Sequence, residues 1–91
     1  MRVKYSEKSL KDLKHFDKPD QLLIVKKIHY LAENFDALKA SKKVTELKGT
    51  ALENQYRFIV ARKIRVLFWV VEGEIILLVL RVGMRKDIYG A

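Results

Sequence analysis

The spacing of apolar positions changes near the middle of the chain. After a short alternating segment at residues 2–5, apolar residues recur every three or four positions as far as residue 35. Beyond residue 55 they alternate with polar residues or run continuously. Spacing of three or four is typical of an amphipathic helix, and spacing of two is typical of a strand. The pattern therefore predicts a first strand, then helices, then further strands.

The N-terminal part predicts an edge strand followed by two helices. Ser6 is placed to cap a helix with an apolar stripe of Leu10, Leu13 and Phe16. Asp17 is placed to cap a second helix, whose first turn tolerates Pro19. The stripe of this longer helix occupies positions 24, 25, 28, 31, 32 and 35. We expect the two helices to form a hairpin that buries both stripes against a sheet.

The C-terminal part predicts three consecutive strands at residues 56–60, 65–71 and 75–82. The links between them are too short for parallel crossovers, so the strands must form an antiparallel β-meander. Residues 36–55 lack periodicity and predict a long, partly ordered connection, in which Val44 and Leu47 reach the core. The predicted fold class is α+β: an N-terminal strand, a helical hairpin and a three-stranded meander, with the helices on one face. At 91 residues we expect one domain, residues 1–91.

The charge is strongly positive and unevenly distributed. Nineteen Lys and Arg against eleven Asp and Glu give a net charge of +8, which favours a polyanionic partner. Five of the six arginines lie beyond residue 50, whereas eleven of the thirteen lysines lie before it. Guanidinium groups bind phosphate oxygens bidentately. The C-terminal half therefore favours oxyanion recognition, and a merely soluble basic surface is the alternative.

Several classes of protein are disfavoured by what the sequence lacks. Without cysteine there is no disulfide, thiolate zinc site or cysteine nucleophile. His15 and His29 lie on separate predicted helices without carboxylates at ligand spacing, so we expect no metal site, and we expect no cofactor. The longest apolar runs have six residues, too few to span a membrane, and no apolar leader precedes the first strand. We expect a cytoplasmic protein with no membrane partner.

Arginines and apolar residues are predicted to share one face of the meander. Alternation along each strand places these residues together: Arg57, Ile59, Arg65, Leu67, Trp69, Leu77, Val79, Arg81, Gly83 and Arg85. Such a face would join guanidinium groups for phosphate to an apolar strip for a base or a partner. The alternative is that each arginine lies on a different solvated edge. Trp69 on this face could stack a base, although its strand context more often indicates core packing.

The order of several short segments adds information that composition lacks. Leu47-Lys48-Gly49, Tyr56-Arg57-Phe58, Ile64-Arg65-Val66-Leu67-Phe68 and the stretch from Val82 to Tyr89 together resemble the RelE family of bacterial toxins. The resemblance implies a metal-independent endoribonuclease that cuts mRNA in the ribosomal A site and is neutralised by an antitoxin. It also implies catalytic roles for Arg57, Arg65, Arg85 and Tyr89. Ile59 stands where the family often has a second Lys or Arg.

The predicted function follows from this resemblance. The substrate's own 2′-hydroxyl would attack the adjacent phosphate, so the protein need supply only positioning and charge stabilisation. We assign contacts with RNA to Lys48, Arg62, Lys63, Arg81 and Lys86. The expected partners are a cognate antitoxin, mRNA and the 16S and 23S rRNA surface of the ribosome. A ParE-like toxin acting on DNA gyrase and a non-catalytic nucleic-acid-binding module are the alternatives.

Overall fold

Five strands and three helices make up the part of the chain that the computed structural model describes, residues 1–47, 55–61, 64–71 and 76–84. In chain order they are β1 (Arg2–Tyr5), α1 (Glu7–Lys14), α2 (Lys18–Glu33), α3 (Phe35–Ala40), β2 (Val44–Glu46), β3 (Gln55–Ile59), β4 (Ile64–Val71) and β5 (Ile76–Met84). The α+β class and the order of strand, helices and meander are confirmed. No helix within these ranges is long and apolar enough to cross a membrane.

The sheet has the strand order β1-β5-β4-β3-β2. The pairs β3–β4 and β4–β5 are antiparallel, which confirms the meander. β1 lies at one edge, as predicted, and pairs in parallel with β5, so the first and last strands of the fold are neighbours. β2 forms the opposite edge and pairs antiparallel with β3.

The described part of the predicted connection, residues 36–47 and 55, contains more regular structure than expected. It contains most of α3 and all of β2, two elements too short for their periodicity to stand out in the sequence. Val44 at the start of β2 is buried and Leu47 is half-buried, which agrees with their prediction as core anchors. The sheet therefore has one more strand than the sequence pattern predicted.

Side-chain caps begin both long helices as predicted. The Ser6 hydroxyl accepts a hydrogen bond from the backbone N–H of Ser9 at 3.0 Å, and the Asp17 carboxylate accepts one from Asp20 at 3.3 Å. Ser6 also donates its hydroxyl proton to the carbonyl of Leu80, 2.9 Å away, which ties the start of α1 to β5. Each cap satisfies an N–H group that the helix itself leaves without an acceptor.

The helices bury their apolar residues on one face of the sheet. Ile24, Ile28 and Leu31 of α2 join strand residues such as Val66 and Phe68 in a single core, which confirms the stripe predicted for α2. The stripe predicted for α1 is only partly correct, because Leu10 is exposed and Ser9 is buried. The hydroxyl of Ser9 donates to the carbonyl of Ser6 at 2.8 Å, so its burial leaves no polar group unsatisfied.

An irregularity between β4 and β5 changes which β5 residues face the core. Leu67 pairs with Arg81, but the next residue, Phe68, pairs with Val79, so Leu80 is skipped in the register. As a result Val79 and Val82 are both buried on the helix side. The prediction that Val79 lies on the arginine face was wrong, because a bulge reverses the alternation of side chains along the strand.

Candidate active site

The face of the sheet opposite the helices carries Arg57 and Arg65, and we call it the open face. Arg57 lies opposite Leu67, and Arg65 lies opposite Ile59, so the two arginines are diagonal neighbours on β3 and β4. Diagonal neighbours on one face are about 7–8 Å apart, within reach of long side chains. Both arginines are half-buried. The structure therefore brings together two of the four residues predicted to be catalytic, on neighbouring strands.

Each of these arginines has a hydrogen-bond partner from an adjacent segment. The Arg57 guanidinium donates from Nη2 to Oγ1 of Thr45 on β2, at 3.5 Å. The Arg65 guanidinium donates from Nη1 to the backbone carbonyl of Ala61, at 3.4 Å. Both distances are at the long end of the range for hydrogen bonds, so each of these two contacts is weak.

Arg81 belongs to the open face by register but is bound by α1. It lies opposite Leu67, which places Leu67 between Arg57 and Arg81 in one row across the sheet. Arg81 donates from Nε and Nη2 to the two carboxylate oxygens of Asp12, at 2.8 and 3.2 Å. The same carboxylate accepts the backbone N–H of Val82 at 2.9 Å. Asp12 thus holds Arg81 against the edge of β5 beyond the end of β1.

The ionisation of Asp12 reflects these contacts. Burial disfavours the carboxylate and would raise its pKa, but the hydrogen bonds from Arg81 and Val82 and the charge of Arg81 lower the pKa below its ordinary value. Asp12 is therefore ionised at neutral pH and neutralises the guanidinium beside it. RNA would have to compete with Asp12 for Arg81, so the assignment of Arg81 to RNA binding stays a prediction.

Apolar side chains border the arginines on the open face. Trp69 is 42% exposed and Ile59 is 45% exposed. Leu67 lies between them along the strands and is half-buried, as is Leu78, which pairs with Trp69. The apolar strip thus includes Leu78 in place of the buried Val79. Trp69 has an exposed ring surface on this face rather than a place in the core.

The remaining predicted site residues lie outside the part of the chain that the structure describes. These are Lys48, Arg62, Lys63, Arg85, Lys86 and Tyr89, together with the side chain of Leu77. Their roles stay predictions. Within the described ranges, no group of three or more His, Cys, Asp or Glu side chains is placed to hold a metal ion.

Asp12 is the residue near this site that sequence reasoning missed. It is separated from Arg81 by 69 positions and sits among lysines in a helix that reads as an ordinary amphipathic segment. No spacing rule connects a residue in α1 to one in β5. The one signal in the sequence was an acid between the lysines of α1, beyond the first turn, where Glu7 already suits the helix dipole.

The sequence matches a known family over nearly its whole length. The family is described as the ParE toxin of the type II toxin–antitoxin system parDE, and the match covers residues 3–89. The search of curated proteins found no significant match.

Solved structures share the fold. The isolated RelE toxin of E. coli superposes with a TM-score of 0.70 at 19% identity, covering 97% of this chain and 89% of that one. The RelBE2 toxin–antitoxin complex of Mycobacterium tuberculosis gives a TM-score of 0.70 at 15% identity, covering 92% and 96%. A YoeB/ParE toxin from Agrobacterium tumefaciens gives 0.66 at 19% identity, covering 94% and 100%.

Proposed function

Since the chain belongs to the ParE toxin family of type II toxin–antitoxin systems, within the RelE/ParE superfamily, we propose that its toxic activity is the cleavage of mRNA. The reaction is metal-independent and takes place in the ribosomal A site, where it stops translation. The observation that carries this proposal is that Arg57 and Arg65 are diagonal neighbours on the open face, beside an exposed Trp69. Two guanidinium groups that can bind a phosphate therefore lie next to an indole ring that can stack on a nucleobase.

The proposed chemistry uses a nucleophile that the substrate supplies. The ribose 2′-hydroxyl loses its proton to water as its oxygen forms a bond to the adjacent phosphorus, while the bond from phosphorus to the 5′-oxygen breaks and that oxygen takes up a proton from water. Negative charge builds up on the phosphate oxygens during this displacement. Arg57 and Arg65 stabilise that charge from one side of the phosphate, as preorganised cationic donors do in other active sites. Arg85 and Tyr89 complete the site, with the roles that the resemblance to RelE toxins implies.

The proposed partners are a cognate antitoxin, mRNA and the ribosome. Structures of related fold include toxin–antitoxin complexes from Mycobacterium tuberculosis, E. coli and Pyrococcus horikoshii, which supports an antitoxin partner here. The net charge of +8 favours an acidic antitoxin and an RNA substrate alike. The toxin would encounter the antitoxin and the RNA in the cytoplasm.

DNA gyrase is the second candidate target. The matching family is described by the name ParE, and Ile59 stands where the RelE resemblance often has a basic residue. A site with fewer cations would stabilise the transition state of RNA cleavage less effectively. These two observations favour a target other than mRNA. The experiment must therefore distinguish cleavage of mRNA from action on DNA gyrase.

The test is to induce the chain in growing bacteria and map the 5′ ends of a reporter transcript. We expect cuts at codon positions in translated regions. Filamentation with DNA damage and an intact transcript would replace this proposal with gyrase poisoning. A toxin that produced neither effect would have another target, and both candidates would fail.

Variants test the site itself. Arg65→Ala should lower the cleavage rate by roughly 10²–10³, since a transition-state donor is lost, and Arg85→Ala should do the same. Arg57→Ala should lower the cleavage rate less if Arg62 or Lys63 also stabilises the phosphate charge. Arg2→Ala is the matched control, because Arg2 is exposed on the edge strand β1. If Arg65→Ala and Arg85→Ala remain as toxic as the parent at equal abundance, the phosphate site has been placed wrongly.

A further inference from the structure

Four residues form a row across the open face of the sheet. Trp69 on β4 lies directly opposite Gln55 on β3 and Leu78 on β5, and Leu78 in turn lies opposite Lys4 on β1. Directly opposite residues on paired strands project from the same face, with Cα atoms about 4.5–5.5 Å apart. The side chains of Gln55, Trp69, Leu78 and Lys4, which we call the tryptophan row, therefore line one continuous strip of the open face.

The tryptophan row lies beside the arginines proposed to bind the scissile phosphate. Trp69 follows Leu67 by two residues on β4, and Leu67 lies opposite Arg57. Two residues of a strand span about 7 Å, so the two rows are separated by about that distance. An extended RNA strand advances by a similar length from one nucleotide to the next. When a phosphate is bound at Arg57 and Arg65, a neighbouring base can therefore lie over the tryptophan row.

Trp69 supplies the surface on which such a base can stack. It is the one tryptophan of the chain and is 42% exposed. Stacking on an aromatic ring binds a base strongly but does not distinguish one base from another, because every base has a π-face. A base preference must therefore come from a neighbour of Trp69 that can form hydrogen bonds. Of the two residues directly opposite it, Leu78 is apolar, which leaves Gln55.

Gln55 is the polar residue next to Trp69. Its half-buried side chain carries an amide with one acceptor oxygen and one donor nitrogen. Its backbone is held in the sheet, because its carbonyl accepts a hydrogen bond from the N–H of Leu47 at 2.9 Å. A glutamine amide characteristically pairs with adenine, whose edge offers an acceptor nitrogen beside a donor amino group. A base stacked on Trp69 thus has its edge within reach of Gln55.

Lys4 is the cation at the far end of the row. It is exposed, whereas Val3 and Tyr5 beside it pack against the core, which agrees with its place on the open face. Lys4 is two strands from Trp69, so their Cα atoms are about 10 Å apart. An ammonium group at this position can bind a phosphate of the strand whose base lies on Trp69. Contacts with phosphate fix the position of a strand but carry no sequence information.

We propose that the tryptophan row is a nucleotide subsite that gives RNA cleavage a base preference, an inference that rests on the RNA cleavage proposed above. Trp69 stacks on a base next to the scissile phosphate. The Gln55 amide forms hydrogen bonds with the edge of that base and favours adenine. Lys4 binds a neighbouring phosphate and holds the strand in position.

The test compares the bases that flank the cuts made by the parent and by variants. Each protein is induced in growing bacteria at equal abundance, and the 5′ ends of the transcripts are mapped. In the parent we expect adenine to be enriched at one of the two positions next to the cut. Gln55→Leu should lower cleavage at adenine sites by about tenfold relative to sites with other bases, since a bidentate base contact is lost. Gln55→Ala should do the same, and it remains informative if Gln55→Leu does not fold.

Variants of the other residues change the rate of cleavage at all sites. Trp69→Ala should lower it by about tenfold or more, whereas Trp69→Phe keeps a ring and should retain most of it. Lys4→Gln should lower the rate by about two- to fivefold, as expected for an exposed ion pair, without altering the base preference. Lys14→Gln makes the same change of charge at an exposed position of α1 and is the matched control, so it should cut as the parent does. Thermal melting of each purified variant shows whether it is folded.

The outcomes separate the subsite from the cleavage itself. If the parent cuts no transcript, the proposed cleavage and the subsite both fail. If the parent cuts without a base preference, or folded Gln55 variants keep its preference, Gln55 does not read a base, and the proposed cleavage stands. A preference of the parent for another base would overturn the pairing with adenine. Unchanged cleavage by folded Trp69→Ala and Lys4→Gln would remove both residues from the path of the RNA.

Discussion

The contact of Asp12 with β5 predicts a measurable loss of stability when the carboxylate is removed. Asp12 accepts hydrogen bonds from the Arg81 guanidinium and from the backbone N–H of Val82. In Asp12→Ala the Val82 N–H loses its acceptor in a partly buried place, which costs about 1–3 kcal/mol. The side chains of Arg81 and Asp12 are 32% and 14% exposed, so their ion pair adds only about 0–1 kcal/mol. We expect Asp12→Ala to lower the free energy of unfolding by about 1–4 kcal/mol.

Arg81→Ala provides the comparison that tests this reasoning. It removes the ion pair but leaves the Val82 N–H bonded to Asp12, so it should cost about 1 kcal/mol or less. Asp36→Ala serves as a control, because Asp36 is exposed on α3, and should change stability by less than about 0.5 kcal/mol. Urea denaturation measures the free energy of unfolding of all three variants. A shift of the unfolding midpoint reports a change in stability when the slope with urea concentration is unchanged.

The same contact predicts how stability depends on pH. The pKa of Asp12 is lowered in the folded chain, so its stabilising effect is fully present above the ordinary carboxyl pKa of about 4. The effect is lost as the pH falls through the lowered pKa of the folded state. The stability difference between the parent and Asp12→Asn should therefore be constant near neutral pH and shrink in acid. Equal destabilisation by Asp12→Ala and Arg81→Ala, or a difference that persists in strong acid, would refute this account.

Two further predictions concern other parts of the chain. Lys42→Gly should raise the free energy of unfolding, measured by urea denaturation, by about 1 kcal/mol. Glycine adopts a left-handed conformation without the steric cost that lysine bears at φ 66°. An unchanged or lower stability would contradict this prediction. Tyr89→Phe should retain part of the RNA-cleaving activity, and Tyr89→Ala should lose most of it. The ring can stack on a nucleobase. An ordinary phenol, with a pKa of about 10, is a poor proton acceptor at neutral pH, so the hydroxyl should matter less than the ring. A normal cleavage rate in Tyr89→Ala would remove Tyr89 from the site.

The sequence was sufficient to predict the elements whose signals are local. The caps at Ser6 and Asp17, the buried stripe of α2 and the antiparallel meander were all predicted correctly. Each depends on residues only a few positions apart, because a cap bonds within one turn and a short link allows only an antiparallel return. The placement of Arg57 and Arg65 on one face also follows from alternation along two regular, neighbouring strands.

Only the tertiary structure decided where distant segments meet and where alternation fails. The bulge at Leu80 moved Val79 into the core, and the contact between Asp12 and Arg81 joined residues from opposite ends of the chain. A groove lined by Tyr30, Leu38 and Phe58 likewise depends on α2, the turn after α3 and β3 coming together. Local spacing cannot specify such features, because a bulge is a property of backbone pairing between strands. A long-range contact is in turn selected by how whole elements pack, not by the residues that flank it in sequence.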